Sequence, residues 1–218
     1  MKPVYLLDIE GTTTPISFVY EVLFPFARAQ FGSFLRDHWE NQDIRQEALA
    51  LSEGIENFEQ AEQAALSLMD QDRKLGALKS LQGRIWEDGY RSGQLKSQIF
   101  DEVANLLRTR KSAGLRTYIY SSGSVLAQKL LFAHTPEGDL THLLDGYFDT
   151  SVGAKGEAES YRKIANQIGI APGDGLFATD VVGEARAARE AGWEAAILLR
   201  PGNHPQPAHD FPEWTALD

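Results

Sequence analysis

The sequence contains no cysteine, which excludes disulfides, thiolate nucleophiles and cysteine-ligated metal sites. It also lacks any stretch approaching the roughly 20 consecutive apolar residues that a membrane-spanning helix needs, so no membrane partner is expected. Met1 leads directly into Val4-Tyr5-Leu6-Leu7, with no basic region and no small-residue cleavage site. A secretory leader is therefore not expected, and a soluble cytoplasmic protein is. Positive charge is scarce: 21 Lys and Arg face 31 Asp and Glu, a formal net charge of −10. Nucleic-acid-binding domains show the opposite balance, so no nucleic-acid partner is expected. Any anionic ligand must be held locally, by a metal, a lysine or backbone amides. The histidines (His38, His134, His142, His204 and His209) show no metal-like spacing, and neither an internal repeat nor a low-complexity tract is present.

What the chain does have is enough apolar material for a core: 218 residues, 43% of them hydrophobic. Four short apolar runs bounded by polar residues or glycine read as strands buried on both faces: Val4–Leu7, Thr117–Tyr120, Gly175–Thr179 and Ala195–Leu199. Helical patterns alternate with them. Gln98–Ala113 gathers Ile99, Val103, Leu106 and Leu107 on one face, and Ser124–Phe132 opens on a capping serine. Glu157–Ile168 stops at Gly169, and the alanine-rich Gly183–Ala191 stops at Gly192. Strand–helix alternation predicts an α/β fold, a parallel sheet wound with helices on both faces. Residues 15–96 break the alternation. They carry only helical patterns (Val22–Leu35, Ile44–Leu51, Phe58–Met69, Leu75–Asp88) and are expected to form a helical cap inserted into a catalytic core of residues 1–14 and 97–218. The segment from Pro201 to Asp218, with four of the nine prolines, is expected to wrap the surface.

Chemistry-bearing residues fall at the strand ends, where parallel α/β sheets bind ligands. Asp8-Ile9-Glu10 follows the first strand, and alternation along an extended chain lets Asp8 and Glu10 reach one site. A carboxylate there can attack phosphorus as a covalent nucleophile, although an isolated pair of this kind is more often a solvated turn. Ser121-Ser122-Gly123-Ser124 follows the second strand and opens a helix, where hydroxyls and N-terminal amides can bind phosphate or simply cap the helix. Asp180, with Glu184 at the start of the next helix, suits magnesium, which takes carboxylates together with water and substrate oxygens. Lys155, in Gly153-Ala154-Lys155-Gly156-Glu157, can neutralise a phosphate or a nucleophile. Each alone is weak; their order along one sheet is consistent with a single site.

These positions resemble the four motifs of the haloacid dehalogenase-like hydrolases: Asp8 with Glu10, Ser121 or Ser122, Lys155, and Asp180 with Glu184. Longer strings narrow the likeness. Asp8-Ile9-Glu10-Gly11-Thr12-Thr13, Leu81-Gln82-Gly83-Arg84-Ile85-Trp86, Tyr120-Ser121-Ser122-Gly123-Ser124, Phe148-Asp149-Thr150, Glu159-Ser160-Tyr161-Arg162-Lys163-Ile164 and Arg200-Pro201-Gly202-Asn203 resemble the enolase-phosphatases, or acireductone synthases, of methionine salvage. Glu10 stands where the wider superfamily has a second aspartate, in agreement with that narrower family. The resemblance implies a monomeric enzyme that enolises and then dephosphorylates 2,3-diketo-5-methylthiopentyl 1-phosphate with Mg2+. It implies Asp8 as nucleophile and metal ligand, Asp180 as second carboxylate ligand, and Glu10 as a backbone ligand whose carboxylate handles protons. Ser121 and Ser122 would hold phosphate oxygens and Lys155 would orient nucleophile and phosphate. Two other readings of the same residues stay open at this point: a phosphatase of another specificity, and a non-catalytic binding or phospho-acceptor domain.

Overall fold

The computed structural model describes residues 2–73 and 75–217. They divide into two compact units, one formed by residues 1–18 and 97–218 and the other by residues 19–96.

The first unit is built on a six-stranded parallel sheet: β1 (Val4–Leu7), β2 (Arg116–Tyr120), β3 (Gly146–Phe148), β4 (Gly175–Thr179), β5 (Glu194–Leu198) and β6 (Glu213–Trp214), in the order β3-β2-β1-β4-β5-β6. The chain lays β2 and β3 on one side of β1, then returns to add β4, β5 and β6 on the other. The winding therefore reverses beside β1, which opens a crevice at the carboxyl ends of β1 and its neighbours. Every residue of β1 and β4 is buried, which is why these strands are unbroken apolar runs rather than alternating ones. The sequence accounts for the four inner strands and misses the two at the edges. β3 is three half-buried residues long and carries no apolar run. β6 lies inside the proline-rich tail expected only to wrap the surface; it pairs in parallel with β5, and Leu199 donates to the Trp214 carbonyl at 2.8 Å.

In chain order, the helices number α1 (Phe24–His38), α2 (Gln42–Leu49), α3 (Phe58–Asp70), α4 (Gly76–Arg91), α5 (Asp101–Ser112), α6 (Val125–Ala133), α7 (Ala158–Ile168) and α8 (Val182–Glu190). Of these, α5 to α8 belong to the first unit. α7 ends at Gly169 in the left-handed conformation (φ 67°), which costs glycine nothing and a side chain about 1 kcal/mol or more. A cluster of Tyr120, Tyr161 and Phe177 sits between β2, α7 and β4, with ring centroids 5.1–6.4 Å apart. The core also includes Val182, Ala185 and Ala188 of α8.

The second unit is wholly helical among its described residues. α1 packs against α3 and α4, and α2 against α4. Asn41 and Asn57 cap α2 and α3 by accepting from backbone amides. The string Leu81-Gln82-Gly83-Arg84-Ile85-Trp86 lies on α4, where five of its six residues are buried and Trp86 donates to the Leu23 carbonyl at 2.8 Å. A six-residue π-helical turn, Phe18–Leu23, precedes α1.

Candidate active site

Asp8 is placed by the ladder itself, its amide donating to the Ala178 carbonyl of β4 at 3.0 Å. The chain then turns abruptly. The amides of Thr12, Thr13 and Thr14 all converge on the Ile9 carbonyl at 2.9–3.1 Å, and Gly11 takes a positive φ of 66°. Thr13 Oγ1 donates to the Asp8 carbonyl at 3.0 Å. One carboxylate oxygen of Asp8, Oδ1, accepts the Ile9 amide at 2.7 Å. The other, Oδ2, lies 2.7 Å from Lys155 Nζ and 3.1 Å from Thr179 Oγ1. Glu10 follows on the loop, half-buried, its backbone bridged to Thr14.

Lys155 reaches this point because three hydroxyls fix three consecutive carbonyls of its loop. Tyr120 donates to Gly153, Ser160 to Ala154 and Tyr161 to Lys155, at 2.9, 2.7 and 2.7 Å. Burial raises the pKa of both tyrosines, so both keep the proton they donate. The ammonium is shared with Glu184 at 2.8 Å. Thr179 Oγ1 lies 2.8 Å from the same Glu184 oxygen and accepts the Val181 amide at 3.2 Å. With a single proton, that hydroxyl donates to Glu184 or to Asp8, but not to both at once.

Three carboxylates thus answer to one ammonium in a site almost closed to water. Asp8 is 2% exposed and Asp180 6%. Burial alone would lower the Lys155 pKa, but Asp8 and Glu184 more than reverse it and the ammonium stays charged. Asp180 is pushed up to about 7, by burial first and by the Asp8 charge second, against the pull of Lys155. Glu184 is likewise pushed up to about 7 by burial and by Asp8. The cluster holds more negative charge than Lys155 can balance, and a divalent cation is the group that suits it. Among the described residues, no three His, Cys, Asp or Glu side chains converge closely enough to hold a metal unaided. A set of two carboxylates, a backbone oxygen, waters and substrate oxygens fits magnesium, which rarely takes an all-protein cage.

The serines lie at the end of β2, the strand beside β1. Ser121 is buried, and its hydroxyl accepts the Gly123 amide at 3.1 Å. At the α6 N-terminus, Ser124 Oγ accepts the Ala127 amide at 3.3 Å and Asp149 Oδ2 the Val125 amide at 3.3 Å. The Val125 and Ala127 amides of the first helical turn thus already have side-chain acceptors, and the hydroxyls of Ser121 and Ser122 stand beside them at the end of β2. Sequence assigns no site role to Thr179, whose hydroxyl meets Asp8 and Glu184, and it places Tyr120, Ser160 and Tyr161 only within family-like strings. Thr179 reads as an ordinary β-branched strand residue, and the other three as core and helix positions. Their contribution goes through backbone carbonyls, which leave no mark in spacing.

Comparison with known proteins gives a consistent answer. Residues 3–192 match the haloacid dehalogenase-like hydrolase family. An enolase-phosphatase E1 of Leptospira borgpetersenii serovar Hardjo-bovis is 44% identical, over 99% of this chain and 96% of its own length. That of Xenopus tropicalis is 44% identical over 92% of this chain and 86% of its own. The crystal structure of the UTR4 protein of Saccharomyces cerevisiae superposes with a TM-score of 0.88 at 36% identity, over 100% of this chain and 99% of that one.

Proposed function

This chain belongs to the haloacid dehalogenase-like hydrolases and, within them, to the enolase-phosphatases, and on that premise we propose that it enolises and then dephosphorylates 2,3-diketo-5-methylthiopentyl 1-phosphate, giving the acireductone and phosphate in methionine salvage. The observation that carries the reading is the Asp8 carboxylate, held on one oxygen by the Ile9 amide and on the other by Lys155. It is a fixed nucleophile beside an ammonium that an incoming phosphoryl group can share.

In the first step a base removes a proton from the carbon bearing the phosphate ester, and the electrons move onto the adjacent carbonyl oxygen. Glu10 is the carboxylate on the Asp8 loop that we assign to proton handling. In the second, Asp8 attacks phosphorus, the phosphorus–oxygen ester bond breaks and the enol oxygen leaves with a proton. Water then cleaves the aspartyl-phosphate and restores Asp8. Ser121 and Ser122 hold the phosphoryl oxygens and Lys155 spreads their charge. Bound by Asp8, Asp180 and the Glu10 backbone carbonyl, Mg2+ would supply Lewis acidity to the carbonyl and to the phosphoryl oxygens.

We further propose a cytoplasmic monomer acting without nucleic acid or membrane. The net charge of −10 supports the first exclusion. Among the described residues no helix is long and apolar enough to cross a membrane. The test is to follow both steps separately with the diketone phosphate in the wild type and in Asp8→Asn. Phosphate release should vanish in the variant while some enolisation survives. Unchanged phosphate release would overturn the covalent scheme. Turnover of other phosphoesters with none of the diketone would overturn the substrate assignment.

A further inference from the structure

Asn203 lies on the loop that leaves β5, and its amide orientation is decided by its partners. Nδ2 donates to the Gly11 carbonyl at 2.9 Å and to the Leu198 carbonyl at 3.1 Å. Both are acceptors, so the NH2 group must face them and the amide oxygen must face away. That oxygen, Oδ1, is buried and finds no hydrogen-bond donor among the described residues. Its surroundings are marked by Gly11. A Cβ added to Gly11 would stand 2.6 Å from Asn203 Oδ1 and 2.5 Å from Asp180 Oδ2. Two acceptor oxygens, one of them a buried carboxylate, therefore look onto the same space over the Gly11 Cα, close enough for one water to bridge them.

A side chain needed only to grip the nucleophile loop would bury an unpaired acceptor, which folded proteins avoid. Arg200 of the same loop also grips the nucleophile loop, donating to the Thr12 carbonyl at 3.1 Å, but its one unpartnered buried nitrogen, Nε, is a donor and offers nothing to a water's proton. The geometry points to a second task for Asn203: its Oδ1 accepts a hydrogen bond from the hydration water of the divalent cation that Asp8 and Asp180 would hold. Asn203 is then a positioning residue, acting on the cation through water, and Gly11 keeps the space open. A cation's water is a strong donor and lacks acceptors in a closed site, so an amide oxygen there is a matched partner. This inference rests on the metal reading proposed above.

The experiment titrates Mg2+ into the metal-free full chain by calorimetry and records the melting temperature without metal. Asn203→Ala should bind Mg2+ about tenfold more weakly. Asn203→Asp gives up the same two carbonyl contacts but keeps an oxygen acceptor, so its affinity should return to the wild-type level or exceed it. Without metal both variants should lose melting temperature, Asn203→Asp the more, because it sets a carboxylate against two carbonyl oxygens and adds charge to the cluster. Wild-type affinity in Asn203→Ala, or an Asn203→Asp as weak as Asn203→Ala, would overturn the inference and leave Asn203 as a structural staple. In the wild type itself, the Asn203 carboxamide carbon resonance should shift on Mg2+ addition, and an unmoved resonance would overturn the inference without any variant. A wild type that binds no Mg2+ at all would overturn the metal reading, and this inference with it.

Discussion

Replacing Lys155 by methionine removes the one ammonium that, among the described residues, pairs with Asp8 and Glu184, while keeping most of the side chain's volume. Its contacts with those carboxylates are 2.7 and 2.8 Å, with side-chain exposures of 8% for the lysine, 3% for Asp8 and 17% for Glu184. At an effective dielectric near 20, each contact is worth roughly 6 kcal/mol of Coulomb energy. Several kcal/mol of desolvation already count against the buried ammonium, so breaking such a pair costs about 3–5 kcal/mol. For a chain of this size that lowers the melting temperature by on the order of 10 °C. The pH dependence gives the finer check. In the metal-free variant Glu184, already pushed up to about 7 by burial and by Asp8, rises further once the ammonium that pulls it down is gone. Stability from groups raised in this way is present below the unfolded pKa and lost as pH rises through the folded one. The deficit against wild type should therefore be small near pH 5 and full near pH 8. Thermal unfolding of both proteins across that range, in chelator, measures it. A variant as stable as wild type near pH 8, or a deficit that does not change with pH, would refute the electrostatic reasoning.

Other consequences follow from the same geometry. The metal-free wild type should lose melting temperature between about pH 5 and pH 8, because Asp180 and Glu184 are pushed up to about 7 and raised carboxylates lose their contribution as pH rises; Mg2+ should restore the loss, and a flat melting profile would count against it. Gly11→Ala should cost about 1–2 kcal/mol from its positive φ alone and should also weaken Mg2+ binding, since its Cβ falls 2.5 Å from Asp180 Oδ2. Chemical denaturation and Mg2+ titration read the two effects separately. Tyr161→Phe leaves the buried Lys155 carbonyl without its 2.7 Å donor, which should cost about 1–3 kcal/mol. Phosphate release should also fall as the ammonium loses its anchor, and unaltered stability and activity would exclude the anchoring role.

The parallel sheet could be read from sequence because its inner strands are buried on both faces. Val4–Leu7 and Gly175–Thr179 had to be apolar runs, and polar residues mark where each stops. The edge strands escaped for the converse reason. Gly146–Phe148 is half-exposed and too short for a pattern, and Glu213–Trp214 is hidden among prolines that argue against a strand. At the site, the rule that ligands bind beyond strand ends brings Asp8, Ser121 and Asp180 to one edge of the sheet from sequence alone. What the rule does not carry is side-chain partnership across the fold. Spacing suggests Glu184 as an indirect partner of a metal held by Asp180, and its contacts in the structure, Lys155 and Thr179, are ones that spacing does not name. The hydroxyl clamps on residues 153–155 and the Asn203 grip on Gly11 join positions far apart in the chain through main-chain oxygens, which every residue has alike.

The central claim is that Asp8 carries the phosphoryl group. Acid-quenching the enzyme during turnover, digesting it and weighing the peptide that contains Asp8 tests that claim directly. A fraction of that peptide should be heavier by one phosphoryl group, localised to Asp8, formed before phosphate appears in solution and absent from Asp8→Asn. Phosphate released at the full rate with no such species, or with the group found on another residue, would contradict it.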